Sequence, residues 1–151
     1  MQKDRYRKGA HTVTDLQYHY VWKTKYSYNV LKGPLALRLR EIIMEICAEN
    51  KMNIEKGNVR PNHVHILVSA PSYLSPSKMA QYLKGKSSYR LQREFPQLEK
   101  RYWGRHIWSR GYFCSTVGAV TEDQIKQYIE NQSDESGKII VWDETDASDS
   151  Q

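Results

Sequence analysis

The chain has 151 residues, of which 39% are hydrophobic and 26% are charged, a composition typical of one globular domain. No apolar run reaches the ~18 residues of a membrane span, and no apolar stretch follows the basic N-terminus, so we expect neither a membrane protein nor a secreted one. Two cysteines without CxxC spacing argue against a disulfide scaffold and a cysteine zinc site, and they favour a reducing cytoplasm.

The charge is divided unevenly along the chain. The formal net charge is +6, but residues 1–132 carry 22 basic and 11 acidic side chains, whereas the remainder has a net charge of −5. A basic body favours a polyanionic partner, either nucleic acid or an anionic membrane, although solubility alone would also explain it. We expect one domain over residues 1–142 and an acidic, disordered tail over 143–151.

The N-terminal part of the chain predicts an arm followed by a strand. Residues 1–12 are polar and basic, which indicates a loose arm. Residues 15–26 alternate, which is typical of a strand. One face of this strand carries Tyr18, Tyr20 and Trp22, and the other carries His19, Val21 and Lys23.

The later elements complete a mixed α and β pattern. They are a helix from Gly33-Pro34 to near Asn50, strands over 52–59 and 63–69, a helix from the capping Ser75 to before Pro96, a strand over 106–117 and a final helix from Thr121 to about Gln132. The first six elements follow the split βαβ order of ferredoxin-like folds. We therefore expect an α+β fold of this RRM-like type, with an antiparallel sheet, helices on one face and an additional C-terminal helix.

The pair His63 and His65 is a candidate metal site. Side chains at i and i+2 of a strand point to the same face, so both imidazoles can reach one ion. Imidazole is the commonest metal-binding side chain. The alternative is a pair of half-buried histidines that have only hydrogen-bond partners.

Tyr128 and Gln132 share one face of the predicted final helix, because residues at i and i+4 are neighbours there. A tyrosine can attack as a nucleophile and form a covalent intermediate. An amide oxygen beside it could bind a metal ion. The alternative is that Tyr128 only packs against the core.

The segment 75–110 is a candidate nucleic-acid interface. It has nine basic and two acidic side chains, with aromatic residues between them. Cations neutralise phosphates and aromatic rings stack on unpaired bases. Within it we expect Lys84, Lys86 and Arg90 to contact DNA. A solvated helix face with aromatics in the core would give the same composition.

Several blocks of sequence resemble the HUH single-tyrosine transposases of the insertion-sequence 200/605 type. They are YHYVWKTKY at 18–26, PNHVHILV at 61–68, YLKGKSS at 82–88, WSRGYF at 108–113, TVG at 116–118 and QIKQYIENQ at 124–132. The blocks follow the order found in that family and cover roughly residues 10–132. One departure is Asn62, where many members have an acidic residue before the first histidine.

The resemblance implies a role for each candidate residue. His63, His65 and Gln132 match the family's metal ligands, and Tyr128 matches its nucleophile. Such an enzyme cleaves and rejoins single-stranded DNA at hairpin-marked ends through a 5′-phosphotyrosine intermediate. The ligand types do not decide the metal ion, and the resemblance favours Mg²⁺, or else Mn²⁺.

The resemblance also implies a homodimer in which the tyrosine helix of one subunit completes the histidine site of the other. It implies action in the cytoplasm of a bacterial or archaeal cell, at the nucleoid.

Two alternatives remain at this point. One is a non-catalytic single-stranded nucleic-acid-binding module that uses Tyr18, Tyr20 and Trp22 as a stacking platform. The other is a domesticated HUH nickase.

Overall fold

The computed structural model describes residues 6–116 and 139–141. The predicted final helix, with Tyr128 and Gln132, lies outside the described residues, and so does the predicted acidic tail over 143–151. No helix in the described part is long and apolar enough to cross a membrane.

A five-stranded sheet forms the centre of the fold. In chain order the elements are β1 (Arg7–Lys8), β2 (Val13–Thr14), β3 (Leu16–Lys23), α1 (Gly33–Glu49), β4 (Asn53–Arg60), β5 (His63–Ala70), α2 (Pro76–Gln81), α3 (Ser87–Glu94), α4 (Pro96–Arg101), β6 (Phe113–Thr116) and β7 (Ile139–Val141). The sheet order is β6-β3-β5-β4-β7, and the pairs β6–β3, β3–β5 and β5–β4 are antiparallel. The predicted α+β class is confirmed, with the strand connections of two interleaved βαβ units.

Helix α1 covers one face of the sheet. Pro34 near its first turn suits the helix start because proline fixes φ and its missing N–H is not needed there. Leu39, Ile43 and Ile46 recur at helical spacing and are fully buried. Burial of each such side chain contributes about 1.5–3 kcal/mol. The predicted helix is therefore confirmed, with its end at Glu49.

The aromatic face of β3 packs into the same core. Tyr18, Tyr20 and Trp22 are at most 7% exposed and belong to the main core cluster. These rings cannot stack on bases, so the stacking-platform interpretation was wrong. The opposite face of β3 carries His19, which is half-buried and stays outside this cluster.

A second helical layer follows β5. Ser75 caps α2 as predicted, since its Oγ accepts a hydrogen bond from the backbone N–H of Lys78 at 3.1 Å. A π-helical turn over Tyr82–Lys86 joins α2 to α3, and this wider turn was not predicted. The short helix α4 after Pro96 was also not predicted.

The structure corrects three expectations about the strands. The arm contains the β1–β2 hairpin, held by Arg7, whose guanidinium donates to Ser69 Oγ at 3.1 Å. The strand predicted over 106–117 begins only at Phe113, because the backbone turns just before it at Gly111, which has a positive φ.

The parallel strand β7 was missed altogether, and the sheet is therefore not wholly antiparallel. It has only three residues, too few for a recognisable alternation. Gly57 lies opposite Ile139, and a Cβ at this glycine would approach Ile139 Cγ1 to 2.9 Å. The absence of a side chain at Gly57 thus allows β7 to pack on β4.

Candidate functional site

The two histidines of the HxH motif lie on the sheet face opposite to α1. Their neighbours in sequence, Val64 and Ile66, are fully buried in the core, so alternation turns His63 and His65 to the other side. His63 is paired across the sheet with Lys23 on β3 and Arg60 on β4. The predicted shared face of the two imidazoles is therefore confirmed.

Asn62 orients the first imidazole. Its side-chain oxygen Oδ1 lies 2.8 Å from Nδ1 of His63. A carbonyl oxygen only accepts hydrogen bonds, so Nδ1 carries the proton and Nε2 keeps its lone pair. Partners of this kind fix the ring orientation of metal-binding histidines.

A third imidazole belongs to this face and was not predicted as part of the site. His19 on β3 contacts His65 through their Nε2 atoms, and the ring centroids are 4.1 Å apart. The alternation of β3 already places His19 on this face. Which histidine it meets depends on the register of β3 against β5, which pairs His19 with Leu67 and Val21 with His65.

The surroundings keep these imidazoles uncharged at neutral pH. Burial, followed by the charges of neighbouring basic groups, lowers the pKa of His65 from 6.5 to about 4. Burial lowers the pKa of His19, and burial with the charges of Arg60 and Lys23 lowers that of His63. Neutral imidazole is the form that binds metal ions.

The histidine face fits a divalent cation as far as it is described. It offers neutral imidazoles on a rigid strand, one of them oriented by Asn62. Within residues 6–116 and 139–141, however, no group of three or more histidine, cysteine, aspartate or glutamate side chains is arranged to hold an ion by itself. A complete site therefore needs ligands beyond such a group, such as an amide oxygen or a substrate phosphate.

We expect Asn62→Ala to weaken binding of Mn²⁺ by about tenfold or more, because His63 loses the partner that fixes its tautomer. Asn62→Asp should restore or strengthen binding, since a carboxylate accepts the same hydrogen bond more strongly. Isothermal titration with MnCl₂ measures both effects. Equal affinities in all three proteins would show that Asn62 does not orient a ligand.

A large open cleft lies between the second helical layer and the loop over 104–112. Its volume is about 1260 Å³. Its lining combines cations and aromatic rings, namely Lys25, Lys84, Arg93, Arg105, Arg110, Tyr89, Trp108 and Tyr112, with Glu99 as the acidic side chain. This composition suits a polyanion that carries planar bases.

The structure separates the three cations predicted to contact DNA. Lys84 lines the cleft, where its Nζ donates to the carbonyls of Ser109 at 3.0 Å and Gly111 at 2.8 Å. Burial lowers the pKa of this ammonium group. Lys84 thus holds the loop in place from inside the cleft.

Lys86 and Arg90 face helix α1 instead. Nη2 of Arg90 donates to both carboxylate oxygens of Glu49, to Oε1 at 3.0 Å and to Oε2 at 2.8 Å, and Lys86 Nζ lies 3.9 Å from Oε2 of the same carboxylate. Lys86 also lies over the ring of Tyr82. The three predicted cations do not therefore share one surface, and their contact with DNA stays a prediction.

Comparison with known families gives a match over most of the chain. Residues 12–132 match the family model for IS200-like transposases. The chain is 38% identical over 128 residues to the ISDra2 transposase TnpA of Deinococcus radiodurans, covering 85% of this chain and 91% of that protein. It is 34% identical over 126 residues to the IS200 transposase of Salmonella typhimurium, covering 83% of this chain and 82% of that protein.

Two solved structures are similar in fold. A transposase structure from Deinococcus radiodurans superposes with a TM-score of 0.70 at 36% identity, covering 83% of this chain and 97% of that one. A REP-associated tyrosine transposase bound to a REP hairpin gives a TM-score of 0.54 at 14% identity, covering 86% and 68%. The second likeness concerns the fold alone.

Proposed function

The chain belongs to the IS200-like transposase family and is therefore a DNA-processing enzyme, and we propose that it cleaves and rejoins single-stranded DNA at hairpin-marked element ends. The proposed nucleophile is Tyr128, and the proposed metal ligands are His63, His65 and Gln132. The proposed ion is Mg²⁺, or else Mn²⁺.

One observation carries this proposal. The family match spans the HxH strand and the segment that contains Tyr128, and the structure puts the two imidazoles on the face of the sheet that α1 leaves open. A protein that only bound DNA would need neither two uncharged imidazoles on one face of a strand nor Tyr128.

The chemistry proposed for this site exchanges one phosphate ester for another. The phenol oxygen of Tyr128 attacks phosphorus, an O–P bond forms to tyrosine, and the bond from phosphorus to the 3′ oxygen breaks. The DNA 3′ end leaves as a hydroxyl after it takes up a proton, and the phenol proton passes to a base. A 3′-hydroxyl from another strand then reverses the attack, so the energy of the ester is kept and no ATP is needed.

A bound divalent ion would supply Lewis-acid polarisation of the scissile phosphate. The chain's own residues prepare the place for that phosphate. Lys23 and Arg60 flank His63, and their positive charges favour a phosphate next to the imidazole. Asn62 keeps the imidazole ring in the orientation that leaves Nε2 available.

The cleft offers a route by which a DNA strand reaches the histidines. Lys25 lines the cleft, and two residues earlier Lys23 is the cross-strand neighbour of His63. Ser109, also in the lining, donates its backbone N–H to the carbonyl of Lys23 at 2.9 Å. Phosphates that follow this path would pass from the cleft cations to the flank of His63.

The test is incubation of the protein with hairpin-bearing single-stranded DNA and Mg²⁺, followed by a denaturing gel. We expect a covalent protein–DNA adduct and a fragment with a free 3′-hydroxyl. Equal cleavage of a fully paired duplex, or cleavage without an adduct, would overturn the proposal.

We expect Arg105→Ala and Arg110→Ala each to reduce the slope of log affinity against log salt concentration by about one unit. Each change removes a phosphate contact from the exposed cleft lining. Lys86→Ala and Arg90→Ala are the matched comparison, and their slopes should change less because Glu49 already pairs with both. Affinity measured against salt concentration decides between the cleft and the α1 side. A smaller slope only in the Lys86 and Arg90 variants would place the DNA path on the side of the fold that faces α1.

We also propose a homodimer whose subunits exchange the tyrosine helix. The support is the family membership, since the described residues belong to one subunit. An equimolar mixture of the Tyr128→Phe and His65→Ala proteins should then regain up to about a quarter of the wild-type cleavage, because half of the dimers are mixed and one of their two sites has both an intact tyrosine and intact histidines. No cleavage by the mixture after subunit exchange would show that each subunit uses its own tyrosine.

A further inference from the structure

Trp103 follows helix α4 in a backbone conformation that glycine usually adopts. Its φ is 58°, in the left-handed region, where a residue with a bulky side chain is strained. The backbone N–H of Trp103 donates to the carbonyl of Lys100 at 3.3 Å, and that of Gly104 donates to the carbonyl of Glu99 at 2.8 Å. These two bonds form a Schellman helix end, whose left-handed residue is most often glycine. Local structure therefore favours glycine at position 103, and a tryptophan there needs another reason.

Packing does not supply that reason, because the indole ring lies in solvent. Trp103 is 88% exposed, whereas Trp22 and Trp108 are 2% and 4% exposed and belong to the core. A residue that strains the backbone and leaves its ring outside the core departs from the rules that stabilise a fold. Such departures are typical of functional surfaces.

The turn that carries this ring is fixed to the end of β3. Tyr102, directly before it, is buried, and its hydroxyl donates to the carbonyl of Lys25 at 3.2 Å. The backbone N–H of Lys25 in turn donates to the carbonyl of Ile107 at 2.7 Å. Lys23, two residues before Lys25, is the cross-strand neighbour of His63. The ring is thus mounted near the proposed phosphate site on a backbone that a ligand does not have to order first.

The surroundings of Trp103 are cationic and border the cleft. Residues 100–110 contain four basic and no acidic side chains. Gly104 and Arg105, which follow Trp103 directly, line the cleft, and so does Glu99 before it. An exposed aromatic ring among cations suits a polyanion that carries flat aromatic groups, which is the chemistry of a nucleic-acid strand. Paired bases already stack on one another within a duplex, so an unpaired base has the free face that such a ring needs.

We propose that Trp103 stacks on an unpaired base of the DNA strand that enters the cleft, an inference that rests on the proposed action on single-stranded DNA. Every base has an aromatic face, so this contact holds the strand without selecting a particular base. Arg105 beside it attracts the phosphates of the same strand. Trp103 therefore positions the strand at the rim of the cleft, outside the histidine face.

Tryptophan fluorescence of the full chain tests the contact directly. The protein is titrated in EDTA with a hairpin-bearing oligonucleotide that has an unpaired flank, and with a fully paired duplex of the same length. We expect the single strand to quench the emission of the wild type and the duplex to quench it less, because a stacked base quenches the indole. The chain has four tryptophans, so the difference from Trp103→Phe isolates the signal of Trp103. Trp103→Phe keeps an aromatic ring and should bind the single strand with nearly the wild-type affinity.

Trp103→Gly separates the effect on DNA from the effect on the fold. We expect it to weaken binding of the single strand by about tenfold, the loss of one stacked base. Its unfolding midpoint should rise by about 2–4 °C, because glycine relieves the left-handed backbone. The slope of log affinity against log salt concentration should stay that of the wild type, since no phosphate contact is lost. The matched control is Tyr73→Ala, which removes a 70% exposed ring beyond the end of β5 that lies away from His63 and should leave binding unchanged.

The possible results distinguish this inference from the function on which it rests. Single-strand binding without quenching in the wild type, or with unchanged affinity in Trp103→Gly, would overturn the role of Trp103 alone. A smaller salt slope in Trp103→Gly, or an equal loss of affinity for the duplex, would show that Trp103 does not act by stacking. A Trp103 emission that changes with protein concentration in the absence of DNA would assign the ring to a contact between copies of the chain instead. Absence of any single-strand binding by the wild type would overturn the proposed function as well.

Discussion

Tyr128→Phe is expected to abolish the covalent protein–DNA adduct and to lower cleavage of hairpin-bearing single strands by about 10³-fold or more. The substitution removes only the phenol oxygen that is proposed to form the ester, and it keeps the aromatic ring. DNA binding should therefore survive with unchanged affinity. The measurement is a denaturing gel for the adduct, with a binding isotherm on the same DNA.

The chain has eleven tyrosines, so the assignment needs a control that removes a different phenol. Tyr89→Phe is suited to this, because Tyr89 is 62% exposed, lines the cleft and accepts a hydrogen bond from Arg93. This variant should still form the adduct. Adduct formation by Tyr128→Phe would assign the nucleophile to another residue, which peptide mapping of the adduct would identify.

The sheet and its first helix were predictable because their residues are patterned at the right period. Leu39 and Ile43 mark the buried stripe of α1, and the alternation of β5 fixed the shared face of His63 and His65. Alternation also gave the face of His19. Its partner could not be predicted, because a contact between strands depends on their register, which sequence period alone does not determine.

The cations show a different limit of sequence reasoning. Lys84, Lys86 and Arg90 follow one another closely in a basic segment, yet they lie in different surroundings. Glu45 and Glu49, about forty residues earlier, pair with Arg90 only because α1 packs beside α3. Net charge of a segment predicts a polyanion partner but does not show which cations are already paired within the fold.

His63→Ala and His65→Ala are each expected to lower the cleavage rate by about 10³-fold or more, and to leave binding of the hairpin DNA intact. Each change removes a proposed ligand from the strand, so the remaining imidazole holds the ion too weakly to polarise the phosphate. EDTA should have the same effect on the wild type, and an excess of Mg²⁺ or Mn²⁺ should reverse it. Cleavage is measured on the substrate used for the adduct assay.

Burial makes a structural control necessary for this experiment. His65 is half-buried and contacts His19, so its truncation changes packing as well as ligation. His65→Gln fills most of the volume, and its thermal unfolding should stay close to that of the wild type. Because burial lowers the pKa of His65 to about 4, this imidazole is uncharged near neutral pH, and loss of activity there cannot come from its protonation. Full cleavage by a folded His65→Gln protein in the presence of EDTA would overturn the metal-dependent mechanism. Cleavage that falls when either histidine is replaced, and that returns when Mn²⁺ is added, would establish that the histidine face holds the ion.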